Sequence, residues 1–524
     1  MKTMNKKNSI LLFFIGVICI LFFLKIDYRY KADWPCCSDE FDYFSHIKTI
    51  VEDKDFDYSN QFGDFKDARN IINGKPTPIG FIGSSIFSLP FYIVGKFLSN
   101  FESVNNSNFN NFELIMTSLS STFYLFLTYI LFIKISILLN KTISHLEILF
   151  LILGSGLSYF AFERYLMPHV FEVFSITLVF YFSIRFFKTG NKLFVIVLPY
   201  IILLALLVKW TNYHVLFVPI IIKYLFFENK TIDNHKISIL VNSIIAFLLF
   251  LQINKLIYGI YTLNPLKIYS SDSSRVDVFL TKLLSDPAIV VIESIKSTLL
   301  ILFGPEFGLF WFSPIIFLGF IKIFFHINKT STFFIIISFG YQLLIVIMWG
   351  TTASSYGYRY LFNLIPLSYI LILYSRKLIF EKYYIYAFSL FAFISTLLFE
   401  TTKLTQLSIQ EIPNSFGTIT KYTQPKFLYG VTEALLNINS WIIVFATSLL
   451  FSLFLKLIFV FFEEEMLVSQ LSSLGLPVEN NDFQNLIINV QNTPNLIYIT
   501  YILFSSVLVL YYLAYRNKSI ENKL

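Results

Sequence analysis

The stretch Ser38–His46, "SDEFDYFSH", gathers three carboxylates and a histidine about a dozen residues beyond a hydrophobic run. A carboxylate can take a proton from a hydroxyl, and a positioned base typically contributes roughly 10²–10⁴-fold in rate. A base also needs an electrophile. Three cations, Arg164, Lys209 and Arg359, fall at the ends of apolar segments, on the side of the membrane that the charge pattern assigns to Asp39. Each one alone suits snorkelling to an interface. Three together, opposed to carboxylates, suit a phosphate leaving group, where negative charge develops as the bond breaks.

The elements that must position these residues follow from spacing. A helix over 38–53, with Ser38 as N-cap, places Phe41, Phe44, Ile47 and Val51 on one arc. Asp39, Asp42, His46, Thr49 and Asp53 fall on the opposite arc. The pattern predicts an amphipathic helix lying along the outer membrane surface. Glu40 turns about 100° away from Asp39, so the two carboxylates need not share an environment. The plain alternative is a solvated polar face, with acids at a helix start favouring the dipole.

Composition sets the solvent. Of 524 residues, 56% are hydrophobic and only 14% charged, with a mean hydropathy of +0.67. A soluble chain carries roughly 25% charged residues. This is therefore expected to be an all-α polytopic membrane protein. The net charge of +7 is spread over short loops with no basic run interleaved with aromatics, which argues against a nucleic-acid partner. Basic residues precede an apolar run from Ile10 to Leu24 with no small-residue cleavage site after it, the layout of an uncleaved signal anchor. Cys19, Cys36 and Cys37 give no disulfide framework and no metal-ligand spacing. Cys36 and Cys37 are expected as free thiols rather than a vicinal disulfide.

A spanning helix needs about 20 mostly apolar residues. Besides the anchor, such stretches fall near 114–139, 147–163, 169–187, 193–208, 212–227, 237–257, 307–325, 332–349, 359–375, 383–399, 438–462 and 495–515. The expectation is about 11–13 transmembrane helices. With the N-terminus inside, the inner loops collect Arg185, Lys188, Lys192, Lys223, Lys236, Lys322, Lys329, Arg376 and Lys382. That alternation fails at the C-terminus, where Arg516 and Lys518 would end outside. Large outer regions are then 26–113, 258–306 and about 400–437. Within the first, Pro78–Phe97 carries Pro78, Gly80, Gly83 and Pro90 and reads as a re-entrant or interfacial helix.

Here a resemblance enters. "SDEFDYF" resembles the Asp-Glu-x-x-Tyr signature of GT-C membrane glycosyltransferases, the superfamily of the protein O-mannosyltransferases and the lipid A aminoarabinose transferases. In the same order, "DKDFDYSNQF", "KPTPIGFIGSSIFSLPFYIVGKF", "ERYLMPHVFEVFSI", "LLALLVKWTNYHVLFVPI", "GPEFGLFWFSPIIFLGF" and "SYGYRYLFNLIPL" are similar to blocks of bacterial members. The resemblance covers roughly residues 1–375. Residues 1–400 are therefore expected to form the catalytic region, and 401–524 an unrecognised part with one or two more membrane helices.

The resemblance implies an inverting transferase that takes a sugar from a polyprenyl-phosphate donor on the outer face of a bacterial cytoplasmic membrane. The acceptor would be a lipid, a glycan or a protein. Asp39 matches the family's catalytic acid and Glu40 its motif partner. Arg359 and Lys209 would hold the donor phosphate, with Arg164 as a third cation. His169 is implied as a cavity residue. Asp42 and His46 would shape the acceptor pocket or merely solvate the helix, and Tyr356 and Tyr358 would stack on a sugar ring or belong to an aromatic belt. No cofactor is required; a divalent cation near Asp39, Asp42 and His46 stays open, without a diagnostic spacing. Two other functions compete. A ligase or polymerase of lipid-linked glycans would depend on outer arginines rather than on Asp39. A transporter or flippase would carry charges near helix midpoints and internal pseudo-symmetry, and no repeat is visible.

Overall fold

The chain is seen in a computed structural model that describes residues 16–18, 20–22, 24, 38–62, 71–72, 74–100, 112–229, 236–263, 273–325, 329–349, 356–375, 378–406, 409–414, 417–422, 427–462, 464–473, 487–488, 490–491 and 495–521. Cys19, Cys36 and Cys37, and most of the expected anchor, lie outside them. Among the described residues, six helices are long and apolar enough to cross a membrane: Phe112–Leu138, His145–Phe162, His169–Thr189, Lys236–Tyr258, Lys329–Met348 and Glu381–Phe399. Shorter apolar helices include Lys192–Val208, Pro314–Ile323, Leu449–Ile458 and Ile497–Leu513. The protein is a helical, multi-pass membrane protein. Its exposed faces agree: Ile237, Leu240, Val241, Ile244 and Leu248 all lie open along the Lys236–Tyr258 helix. An outward apolar helix face is stable where the solvent is hydrocarbon.

Inside the bundle, polar side chains satisfy themselves locally. Ser136, Ser175, Thr177 and Ser183 donate to carbonyls three or four residues back on their own helices. The largest core joins Phe132 to Tyr369, their rings stacked 4.0 Å apart, and continues through Phe160, Phe180, Phe307 and Phe362.

Several expected spans are interrupted, each for a local reason. The 147–163 span opens on a capping box, in which Ser144 Oγ accepts from Glu147 N and Glu147 Oε2 accepts from Ser144 N. It then passes through a π-helical turn at Leu153–Leu157, where Gly156 has φ +90°. A β-carbon at Gly156 would press on the Phe362 and Tyr356 rings, so glycine serves both the backbone angle and the close approach. The 212–227 span is not one α-helix: Trp210–Phe217 is a 3-10 helix, followed by an α-helix from Val218 to Phe226. The 359–375 span likewise starts as 3-10 over Arg359–Leu364 before the Ile365–Tyr374 helix. The 438–462 span is corrected to two helices, Ile438–Ala446 and Leu449–Ile458. Ser448 ends the run by capping the second helix, accepting from Phe451 N.

Among the described residues, the long regions between the apolar runs also contain regular elements. Residues 258–306 contain the helices Ser273–Ser285 and Pro287–Phe303. Beyond residue 406 a hairpin pairs Ile409–Asn414 with Gly417–Tyr422. In the first region Gly83–Ser99 is a helix that packs against Phe112–Leu138 and, through its first turn, against the end of Lys192–Val208. A β-carbon at Gly83 would collide with the backbone of Leu207 and Val208. The two chain segments therefore meet with no side chain between them.

Candidate functional site

The expected helix is present as an α-helix, Ser38–Lys48, continued by a π-helical turn over Thr49–Asp53 and closed by Lys54 in the left-handed region, φ 62°. The expectation that its polar arc faces water is overturned for Asp42, His46 and Thr49, whereas the Asp39 side chain stays half exposed. Asp42 is 5% exposed, and His46 and Thr49 are fully buried, as are Phe44 and Ile47 on the other arc. The helix is enclosed on both sides because the segment after it folds back over the polar arc.

Asp42 and His46 are what hold that segment. Asp42 Oδ2 accepts from Ile79 N at 3.2 Å. His46 Nε2 lies 2.8 Å from Gly80 O and Nδ1 lies 2.6 Å from Tyr58 Oη. A carbonyl only accepts, so Nε2 carries the proton and Nδ1 accepts from the tyrosine. Tyr258 donates to the same Gly80 carbonyl, and Ser85 Oγ donates to Tyr43 O. Burial pushes the His46 imidazole down to about 4, with the Gly80 contact opposing, so it is neutral at ordinary pH. Both residues are buried rather than solvating the helix, and both ring nitrogens of His46 are engaged by the protein. Among the described residues, no group of three His, Cys, Asp or Glu side chains is arranged to hold a metal ion.

Asp39 and Glu40 part as the helical turn requires. Glu40 is buried, with Oε1 3.3 Å from Arg164 Nε. The Asp39 side chain is 47% exposed, and its Oδ2 lies 3.8 Å from Arg359 Nη1. Arg359 sits at the start of the 3-10 turn beside Tyr360, its Cζ 5.5 Å from that ring's centroid. Lys209 Nζ stands over the same ring at 4.4 Å. Lys209 is the extended residue, φ −161° and ψ 138°, between the Lys192–Val208 helix and the following 3-10 turn, which lets its side chain leave both. Two cations from distant segments thus contact one aromatic ring, each worth about 0.5–2 kcal/mol of cation–π attraction according to its desolvation.

Behind Lys209 lies a carboxylate the sequence reasoning passed over. Glu172 is fully buried, and its Oε2 accepts from Lys209 Nζ at 3.4 Å and from His169 Nδ1 at 3.3 Å. Its Oε1 accepts from Thr211 Oγ1 at 3.3 Å. His169, expected in a cavity, is buried against the Phe160 and Phe362 rings. The polar chain continues inward: Gln342 Nε2 donates to Thr211 O at 2.6 Å, and Asn363 Nδ2 to Asn212 Oδ1 at 3.3 Å. Burial draws the Lys209 ammonium down to about 8, against the pull of Glu172.

The tyrosines are sorted differently from the expectation. Tyr356 is 1% exposed, its hydroxyl 2.5 Å from Ser395 Oγ and its ring among Tyr159, Phe307 and Phe399. It is a core residue rather than a platform for a sugar. Tyr358 is partly buried against the same core. The ring beside the cations is Tyr360, which was missed; its adjacency to Arg359 was the available signal. The signal for Glu172 was a lone acid inside an apolar run, where charges are costly and tend to be functional.

The described site therefore holds three carboxylates, Asp39, Glu40 and Glu172, against three cations, Arg359, Arg164 and Lys209. Among the carboxylates Asp39 is the exposed one. No protein-family model, curated protein or solved structure matches the chain.

Proposed function

We propose that the protein is a GT-C-type membrane glycosyltransferase. It transfers a sugar from a polyprenyl-phosphate donor to a lipid, glycan or protein acceptor at the outer face of a bacterial cytoplasmic membrane. The observation that supports this best is the exposed Asp39 carboxylate 3.8 Å from Arg359, whose guanidinium shares the Tyr360 ring with Lys209. A base and a pair of anion-binding cations are what displacement of a phosphate by a hydroxyl needs.

In this reading Arg359 and Lys209 take the donor phosphate between them. The three carboxylates already balance the three cations, so an arriving phosphate competes with Asp39 for Arg359 and leaves Asp39 free to accept a proton. The acceptor hydroxyl gives its proton to Asp39 as its oxygen bonds to the anomeric carbon. The bond from that carbon to the phosphate oxygen breaks on the opposite face, its electron pair leaves with the polyprenyl phosphate, and the configuration inverts. Arg164 holds Glu40 and so fixes the start of the helix that carries Asp39; this differs from a direct role on the donor. The prenyl chain stays in the bilayer.

The test is mass spectrometry of envelope glycans and lipids from cells with and without the gene, together with transfer by the purified protein from a polyprenyl-phosphate sugar. One missing sugar increment, restored by the wild-type protein and not by Asp39→Asn, is expected. Full restoration by Asp39→Asn would remove the proposed base and favour an arginine-dependent ligase of lipid-linked glycans.

A further inference from the structure

Buried lysines lose their charge easily, because desolvation favours the neutral amine. Lys209 is 6% exposed and shares the Tyr360 ring with another cation, Arg359. Both conditions work against an ammonium. One carboxylate answers them. Glu172 reaches Lys209 at 3.4 Å and is also held by His169, Thr211 and Asn363, so it is fixed from several sides before any ligand arrives. Glu172 is fully buried and lies too deep to meet a donor itself.

We propose that Glu172 is a positioning residue for anion binding: it holds the Lys209 ammonium against Tyr360 beside Arg359, and thereby sets the pH range over which the two cations together grip a phosphate headgroup. The inference rests on the donor-binding role given to Lys209 above. The groups facing Lys209 are Glu172 and His169 from the His169–Thr189 helix and Arg359 and Tyr360 from the 3-10 turn; Asp39 acts on it only through Arg359.

The sign follows directly. Anion binding by Lys209 is lost as pH rises through its own titration, which burial already brings down to about 8. Removing the Glu172 charge withdraws the influence that raises that value, so the loss moves to lower pH. A phosphate monoester gains its second charge near pH 6, a contribution common to every variant and opposite in direction.

The experiment measures binding of undecaprenyl phosphate to the detergent-purified full chain from pH 6 to 9 by isothermal titration calorimetry, with undecaprenol as the uncharged control. Glu172→Gln is expected to bind within about threefold of wild type at pH 6, and to reach half-loss at least one unit lower, a tenfold difference in proton activity per unit. Adding Lys209→Arg to Glu172→Gln should abolish the shift, because a guanidinium stays charged throughout. Glu172→Asp, which keeps the charge and draws it back, should fall between, and it carries the test if the Gln variant does not fold. Equal weakening of Glu172→Gln at every pH, or a shift that survives Lys209→Arg, overturns the proposal. Equal binding of undecaprenyl phosphate and undecaprenol by wild type overturns the phosphate site itself, a different failure.

Discussion

Arg359 Nη1 lies 3.8 Å from Asp39 Oδ2, although one residue opens a 3-10 turn late in the chain and the other lies in the first turn of the Ser38–Lys48 helix. The distance is long for a hydrogen bond and near the outer reach of an ion pair, and the aspartate is half open to solvent. Such a contact is easily exchanged for a better anion.

Asp39→Asn is therefore expected to lower sugar transfer by about 10²–10⁴-fold, the range of a positioned base, while expression and membrane insertion stay at wild-type level. Arg359→Ala should raise the KM for the polyprenyl-phosphate donor far more than that for the acceptor. Steady-state kinetics with each substrate varied in turn separate the two effects. Equal rises for both would count against a phosphate contact.

The Glu40–Arg164 pair behaves in the opposite way. It is buried at both ends, and breaking such a pair by removing one partner typically costs about 3–5 kcal/mol. Glu40→Gln should lower the thermal midpoint in detergent markedly. The double substitution Glu40→Gln with Arg164→Met should cost less than the sum of the two singles. Additive losses would mean the two side chains do not depend on each other.

His46 supplies a pH signature. Its folded-state value lies near 4, below the ordinary 6.5, so its contribution is complete above about 6.5 and is lost progressively as pH falls towards 4. Thermal midpoints of wild type should drop over that window. His46→Gln, which keeps a donor for Gly80 and does not titrate there, should start lower and fall less steeply.

Two tyrosines four positions apart should answer differently. Tyr356→Phe removes one hydroxyl from a packed core and should cost about 1 kcal/mol of stability with transfer intact. Tyr360→Leu removes the ring shared by Arg359 and Lys209 and should weaken donor binding with little loss of stability. Binding assays and melting curves on the same preparations show whether the two effects part in this way.

The long apolar runs near 114–139, 169–187, 237–257 and 332–349 coincide with helices, because in lipid a continuous run of that length has one way to satisfy its backbone. The interruptions were less legible. Trp210–Phe217 changes its hydrogen-bond spacing inside a run that ends in apolar residues, and the run's length does not record that change. Ser448 looks like an ordinary serine inside an apolar run until it turns to cap a helix. At the site, Asp39, Lys209 and Arg359 stood out because charges at the ends of apolar segments are conspicuous. The burial of Asp42 and His46 was hidden, since helical periodicity separates two arcs but does not say which neighbour covers each. Residues 77–85 cover the polar one, through contacts to Gly80 and Ile79 that no local pattern announces.

The Gly83 contact has a mechanical corollary. Where two backbones touch directly, neither can yield by rotating a side chain, so displacement of one is transmitted almost undiminished to the other. The segment that carries Gly80 and Gly83 and the extended link that carries Lys209 are then expected to move together as a single lever. Gly83→Ala, by wedging the lever open, should disturb the Lys209 ammonium, a group it never touches.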